Sequence, residues 1–395
     1  MIKKKVFFLA DSTVDLFNLY TYLKKKYEIK WVIYHKDIIK DLERKQVSPQ
    51  KINFINALDF FNKNLLFRIL KKIIKIFFGN IDKKILIYKI EKIDSVFKPD
   101  FWITDTGSIL SRAKTNAPKC SFKHGIAYKK YFLGKNIFDY DYTFLPGYNH
   151  YNRILEFYGN KIDKKRLIVA GSYRLVPYIK KKELKENEKN ELQEKLNLSK
   201  GKTNVLFAPT HDAFGKFRFL SKNFGNQFYA IQKISEFVNN QLDANFIFKL
   251  HHYQYGLLRN SELKKISKKK GNHIFNSEKE HQVEESANIH RLSDIIITDT
   301  SGVAAIGIFL GKKIIYLEPD PQYHNWKESD IKADLRPGFV CNNLEEIYSA
   351  LKKYSSAENF FCNEKKKFLE EVFFKHNKDA SEEISKSIQK IIDSL

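Results

Sequence analysis

Acidic residues are scarce in this chain: 46 Asp and Glu stand against 70 Lys and Arg over 395 residues, a formal net charge of +24. Such a surface draws polyanions, whether nucleic acid, anionic lipid or a phosphate-rich polymer, or else it records a lysine-rich coding bias; charge alone does not choose. Cysteine is scarcer. Cys120, Cys341 and Cys362 are an odd number at long, unrelated spacings, which excludes a disulfide framework and a zinc motif and fits a reducing compartment. No apolar window approaches the roughly 20 residues needed to cross a bilayer. Val6 to Ala10, behind a basic start, soon meets Asp11, Ser12 and Asp15, so it reads as a buried first strand and not as a signal peptide. Three motifs are also missing: the Gly-x-Gly-x-x-Gly turn, the Walker phosphate loop and the Gly-x-Ser-x-Gly elbow. Their absence disfavours dinucleotide oxidoreductases, P-loop NTPases and α/β-hydrolases. The aromatics sit within apolar strands and helices rather than among the basic runs, and no nucleic-acid module is present, so nucleic acid is not expected as a partner.

What is present is a foldable chain, 43% hydrophobic and 14% aromatic, long enough for two full cores. Val6 to Ala10, a helix-like Leu16 to Lys26 and Trp31 to Tyr34 set a βαβ rhythm. Val205 to Phe207, Ala230 to Asn239 and Phe246 to Leu250 repeat it. Two α/β domains are expected, at 1–176 and 204–395. Between them 177–203 reads as a charged linker with an exposed helix over Glu183 to Leu196. A loose internal echo joins PDFWITDTGSI at 99–109 to SDIIITDTSGV at 293–303, as two similar domains or chance would produce.

The second copy of that echo is chemically the more suggestive. An apolar run, Ile295 to Ile297, stops in Thr298, Asp299, Thr300, Ser301 and Gly302; a small-residue helix follows, then Ile314 to Leu317 ending in Glu318. Strand, polar turn and helix N-terminus together make a natural cradle for a phosphate. FAPTHD at 207–212 and FKLHH at 248–252 likewise place Thr210, His211 and His251 just past strand ends, where parallel α/β sheets bind ligands. In KHGIAYKK, 123–130, His124 stands before Gly125 among lysines; an imidazole there can take a proton from an attacking hydroxyl. Metal is the competing account of His211, Asp212, His251 and His252, but their spacings match no zinc pattern and Asp139 and Asp141 read as a strand edge. No metal or other cofactor is expected. The stretch from Leu65 to Phe78 carries Leu66, Ile69, Leu70, Ile73, Ile76 and Phe77 at helical spacing, with Arg68, Lys71, Lys72 and Lys75 opposite. It is either a basic amphipathic helix suited to an anionic membrane surface or an ordinary surface helix.

In order, KHGIAYKK, GSYRLVPYI at 171–179, FAPTHD, FKLHH and SDIIITDTSGVAAIGIFLGKKIIYLEPD at 293–320 resemble the CDP-glycerol glycerophosphotransferase family of teichoic-acid primases and polymerases and related capsule enzymes, over about residues 100–330. The resemblance implies a GT-B fold, two Rossmann-like domains facing across a cleft, with the nucleotide held by the second. It also implies peripheral attachment to the cytoplasmic face of the membrane, where a lipid-linked acceptor is met. By the same resemblance His124 is the general base and His251 serves the donor phosphates. Arg174, Thr210, His211, Asp299, Thr300, Ser301 and Gly302 are the candidates to bind nucleotide or phosphate, and Glu318, from its position alone, is a candidate to accept from the ribose. The chain departs from the family pattern at His251-His252, at His211-Asp212 and at Gly171-Ser172-Tyr173-Arg174, which bears on the donor alditol more than on the fold.

The reaction expected is transfer of an alditol phosphate from a CDP-alditol to a hydroxyl of a lipid-linked glycan or teichoic-acid-like polymer. Two rivals stand beside it: a GT-B glycosyltransferase using a nucleotide sugar in capsule or lipopolysaccharide synthesis, and a basic membrane-associated binding protein without catalysis.

Overall fold

The computed structural model describes residues 3–9, 19–33, 54–56, 81–105, 109–122, 126–130, 132–210, 224, 227–249, 261–275, 283–319, 326–356, 358–375 and 380–395. The basic stretch 65–78 lies outside them, as do His124, His211 and His251. The chain forms two compact units: residues 1–125, 131–176 and 374–395, and residues 126–130 with 177–373.

The first unit is built on a seven-stranded sheet. Its strands are β1 (Lys5–Leu9), β2 (Glu28–Ile33), β3 (Phe54–Asn56), β4 (Phe101–Thr104), β5 (Lys119–Phe122), β6 (Tyr142–Leu145) and β7 (Leu167–Val169). They run in the order β3-β2-β1-β4-β5-β6-β7, every pair parallel. Parallel strands are covered on both faces, which is why they read as unbroken apolar runs. In β1, Phe8 joins Trp31, Phe101 and Phe144 on one face, while Phe7 joins Trp102, Ile90 and Ile93 on the other. Edge-on rings at 5.1 Å (Phe8 and Trp31) and 5.3 Å (Phe7 and Trp102) fill those layers. The indole of Trp102 donates to Asp94 at 2.8 Å from helix α1 (Ile81–Phe97). Helix α2 (Tyr148–Tyr158) follows β6.

The second unit opens with α3 (Val176–Lys180) and α4 (Glu186–Lys195) and carries a six-stranded parallel sheet. Its strands are β8 (Asn204–Phe207), β9 (Asn245–Lys249), β10 (Asn272–Phe275), β11 (Ile295–Thr298), β12 (Lys313–Leu317) and β13 (Phe339–Cys341), in the order β10-β9-β8-β11-β12-β13. Helices α5 (Gln227–Gln241), α6 (Ser261–Lys268), α7 (Val283–Leu292), α8 (Gly302–Phe309), α9 (Leu344–Ser355) and α10 (Cys362–Val372) complete it. Val205, Phe207, Phe246, Phe248, Ile295 and Ile297 line one face against α5, α6 and α9. On the other face α8 lies so close that a Cβ on Gly307 would sit 2.7 Å from the Ile314 Cδ1 and 2.8 Å from the Ile296 Cδ1, so a larger residue would make both side chains shift.

The division departs from the sequence reading twice. Residues 177–203 are not a free linker: Gln193, Leu196 and Leu198 are buried in the second unit. Gln193 donates to Asn204 Oδ1 at 3.3 Å, and Asn245 donates to the same atom at 2.9 Å and to the Ser199 carbonyl at 2.8 Å. A buried amide network accompanies those two leucines, so the stretch looks solvent-facing in the sequence. The last helix, α11 (Ala380–Ser394), belongs to the first unit, where Ile384, Ile388, Ile391 and Ile392 enter the core. Asp393 at its end accepts from Lys26 at 2.5 Å and from Tyr27 at 3.1 Å. An apolar stripe on a helix does not say which core it serves.

Candidate active site

The carboxyl ends of β8 and β11 are laced together. The Ala208 amide donates to the Ile297 carbonyl at 2.9 Å, the Thr298 hydroxyl donates to the Ala208 carbonyl at 2.7 Å, and the Thr210 amide donates to Asp299 Oδ1 at 2.9 Å. Thr298 is therefore structural, and Asp299 orders the turn after β8. Asp299 and Thr300 are fully buried, yet among the described residues Asp299 Oδ2 and the Thr300 hydroxyl find no hydrogen-bond partner. A buried polar atom left so costs about 1–3 kcal/mol, which a native fold seldom carries without a use. Burial raises the Asp299 pKa, while Thr210 and the Lys129 ammonium oppose the rise.

Ser301 caps α8. In extended backbone it accepts from the Val303 amide at 3.4 Å, and Gly302 opens the helix. The first-turn amides and the positive end of the helix dipole then lie beside Thr300, a setting for negative charge. A Cβ on Gly302 would come within 3.0 Å of the Ile126 carbonyl oxygen, so glycine lets another strand of chain pass over the helix start. That strand is 126–130. Tyr128, fully buried, donates to the Leu335 carbonyl at 2.5 Å and meets the Tyr316 hydroxyl at 3.1 Å; the Asp330 amide donates to the Lys129 carbonyl at 2.8 Å; Lys130 pairs with Glu328 at 2.6 Å.

Thr210, Asp299, Thr300, Ser301 and Gly302 thus meet at one edge of the second sheet. Glu318 lies just past the neighbouring strand β12, where Arg336 donates to its carboxylate at 3.0 Å. Arg174 lies in the first unit, in the turn Tyr173–Leu175, half-buried. Among the described residues no group of three His, Cys, Asp or Glu is placed to hold a metal, and no helix is long and apolar enough to cross a membrane.

Two residues at these strand ends escaped the sequence reading. Lys249 ends β9, one strand beyond β8 and level with Ala208 and Thr298 by the sheet register, and desolvation lowers its pKa to about 8. Its charge is felt by buried His290, whose pKa burial, then Lys249 and Arg291, push down to about 3; Tyr178 holds the His290 Nδ1 at 2.7 Å. The signal was available: a lysine closing the otherwise apolar run Phe246 to Phe248 at a carboxyl strand end. The other is Arg336, distant in sequence from every motif.

Comparison with solved structures shows where such a fold recurs. A histidine-to-alanine variant of the wall teichoic acid polymerase TagF matches with a TM-score of 0.62 at 16% identity, over 100% of this chain and 90% of that one. A histidine-to-asparagine TagF variant soaked with CDPG also matches at 0.62 and 16%, over 99% and 90%. The UDP-GlcNAc 2-epimerase of Methanocaldococcus jannaschii, in complex with UDP-GlcNAc and UDP, matches at 0.63 and 14%, over 98% and 99%. At such identities the likeness is one of fold, two Rossmann-like units of GT-B type. No curated protein sequence matches the chain. The family model for CDP-glycerol:poly(glycerophosphate) glycerophosphotransferases matches residues 122–390, well over half the chain and all of the cradle just described, so the chain belongs to that family and is a transferase of its kind.

Proposed function

We propose that the protein moves a glycerol-phosphate-type unit from a CDP-alditol to a hydroxyl of a lipid-linked glycan or teichoic-acid-like polymer, while attached peripherally to the anionic cytoplasmic face of the membrane. The observation that carries this is the buried, unpartnered pair Asp299 Oδ2 and Thr300 Oγ1 at the capped start of α8, inside the region of the family match. The net charge of +24 supports the membrane and polyanion side of the reading.

In this mechanism His124 takes the proton of the acceptor hydroxyl as its oxygen attacks the distal phosphorus of the diphosphate. The new phosphorus–oxygen bond forms as the bond to the bridging oxygen breaks, and CMP leaves with that electron pair. Charge building on the CMP phosphate is met by the Thr300 hydroxyl, the α8 amides, His251 and Lys249. Asp299 repels phosphate, so its Oδ2 suits a hydroxyl or amine donor of the nucleotide or alditol. Glu318, oriented by Arg336, suits a ribose hydroxyl. Arg174 and His211 complete the proposed anion-binding set.

Purified protein given CDP-glycerol and a lipid-linked acceptor is expected to release CMP, and His124→Ala to lower kcat by about 10²–10⁴-fold. Full activity in that variant removes the base assignment. The solved neighbour holding UDP-GlcNAc favours, as a second reading, a nucleotide-sugar donor. Thermal shift separates the two, since only the true donor's nucleotide class raises Tm strongly.

A further inference from the structure

Residues 126–130 are part of the second unit, although their neighbours in sequence are not. Ile126, Ala127 and Tyr128 are buried, so the segment is packed into that unit and not laid over it. Its course there is set by named contacts: the Ile126 carbonyl lies over Gly302 at the α8 start, Tyr128 reaches the Leu335 carbonyl and the Tyr316 hydroxyl, and the Asp330 amide donates to the Lys129 carbonyl. Two lysines leave this anchored backbone in different ways. Lys130 is exposed and turns to Glu328 at 2.6 Å, whereas Lys129 is half-buried and its ammonium is felt by Asp299 of the cradle.

Charge balance gives Lys129 a use. The capped start of α8 offers about half an elementary positive charge. Against it stand the buried Asp299 carboxyl, whose ionised form Lys129 favours, and the phosphates of any nucleotide that the cradle takes up. A helix terminus does not offset both, and a full cation is needed where they come together. The buried Thr300 hydroxyl, without a partner among the described residues, marks that place.

We infer that Lys129 is a phosphate-binding residue of the donor cradle: its ammonium offsets Asp299 in the empty protein and meets a phosphate oxygen of the bound nucleotide. The inference rests on the reading of this cradle as the donor site, and it supplies the cation that Thr210, Asp299, Thr300, Ser301 and Gly302 lack. Segment 126–130 is then a working part of the site. An ammonium on a phosphate oxygen is a charge-assisted hydrogen bond, so its loss falls on donor affinity more than on folding.

The test uses the full chain and calorimetry with CDP-glycerol. Lys129→Gln is expected to raise donor Kd about tenfold or more with Tm unchanged, and Lys130→Gln, its neighbour paired with Glu328, to leave Kd within about twofold. Unchanged Kd in Lys129→Gln overturns the assignment. So does an equal loss in Lys130→Gln, which would trace the effect to the general basic field. If Lys129→Gln does not fold, reductive methylation of the wild-type chain, read by mass spectrometry, decides: CDP-glycerol is expected to slow modification of Lys129 several-fold and to leave Lys130 unchanged, and equal rates at Lys129 with and without it overturn the assignment. The donor reading fails separately. A wild-type chain that binds no CDP-glycerol removes that reading and Lys129 with it, whereas binding that survives Lys129→Gln removes Lys129 alone.

Discussion

Strands β4 and β11 occupy the same place in their units. Each is the fourth strand of its unit and each pairs with the first, β4 with β1 and β11 with β8. Both run into Thr-Asp-Thr, at 104–106 and 298–300, with Thr104, Asp105, Thr298 and Asp299 all buried. Past those three residues the two diverge. Beyond β11 the chain enters the eight-residue helix α8 through a Ser301 cap; beyond β4 the next described element is the three-residue turn Leu110–Arg112, whose leading residue Ile109 makes no side-chain cap. The shared letters therefore encode a buried strand end. An anion cradle needs in addition the aligned amides of a true helix, which a single 3₁₀ turn does not supply. The proposed donor-binding role is placed in the second unit for that reason.

The largest contrast expected is in acid. All three histidines among the described residues are held neutral by burial: His150 in the first unit at about 3, His273 and His290 in the second at about 4 and about 3. Each folded value lies below the ordinary 6.5, so the unfolded chain binds the extra proton. Their contribution is complete above that value and is lost as pH falls toward the folded values, at about 1.4 kcal/mol per pH unit for each histidine. Asp299, raised, works in the opposite direction and only partly offsets this. With two of the three histidines, the second unit is expected to open first. Hydrogen exchange at about pH 7.5 and about pH 5 reads this out, and equal loss of protection in both units breaks the asymmetry.

Lys249 sharpens the comparison next. Its counterpart strand in the first unit, β2, closes on apolar Trp31, Val32 and Ile33. A half-buried, desolvated ammonium is tolerated at the end of β9 if its use is to meet a donor phosphate. Lys249→Met is expected to weaken CDP-glycerol binding by about 10–100-fold, and to leave the Tm of the empty protein level or higher because a partly desolvated charge is gone. Unchanged Kd, or a sharp fall in Tm, would assign Lys249 to structure instead.

Much of this was legible in the sequence, for identifiable reasons. Parallel strands carry apolar runs, so β1, β2, β8, β9, β11 and β12 stood out. The turn from Thr298 to Gly302 combined a strand end, a capping hydroxyl and a glycine, a pattern that local chemistry alone makes readable. What stayed hidden depends on contacts far apart in the chain. The Gln193, Asn204 and Asn245 network hid the packing of 177–203 behind polar letters. The isoleucine stripe of α11 carried no label naming the first unit's core. Tyr128 meets Tyr316 across 188 positions, a distance over which local pattern is silent.

The smallest effect expected bears directly on the opening pair. Asp299→Asn keeps an oxygen able to accept from the Thr210 amide but removes the charge whose pKa burial raises, and it changes the group offered to the donor at Oδ2. Donor affinity is expected to fall by about 5- to 10-fold with little change in Tm, since one hydrogen bond to a charged group is at stake. Asp105→Asn, the same change at the matching strand end, is expected to act on Tm alone and to leave donor Kd within about twofold, because among the described residues no capped helix follows β4. Calorimetry with CDP-glycerol on the two variants compares them directly. If Asp105→Asn weakens the donor as much as Asp299→Asn does, the two strand ends share the work and the α8 cap is not what distinguishes them.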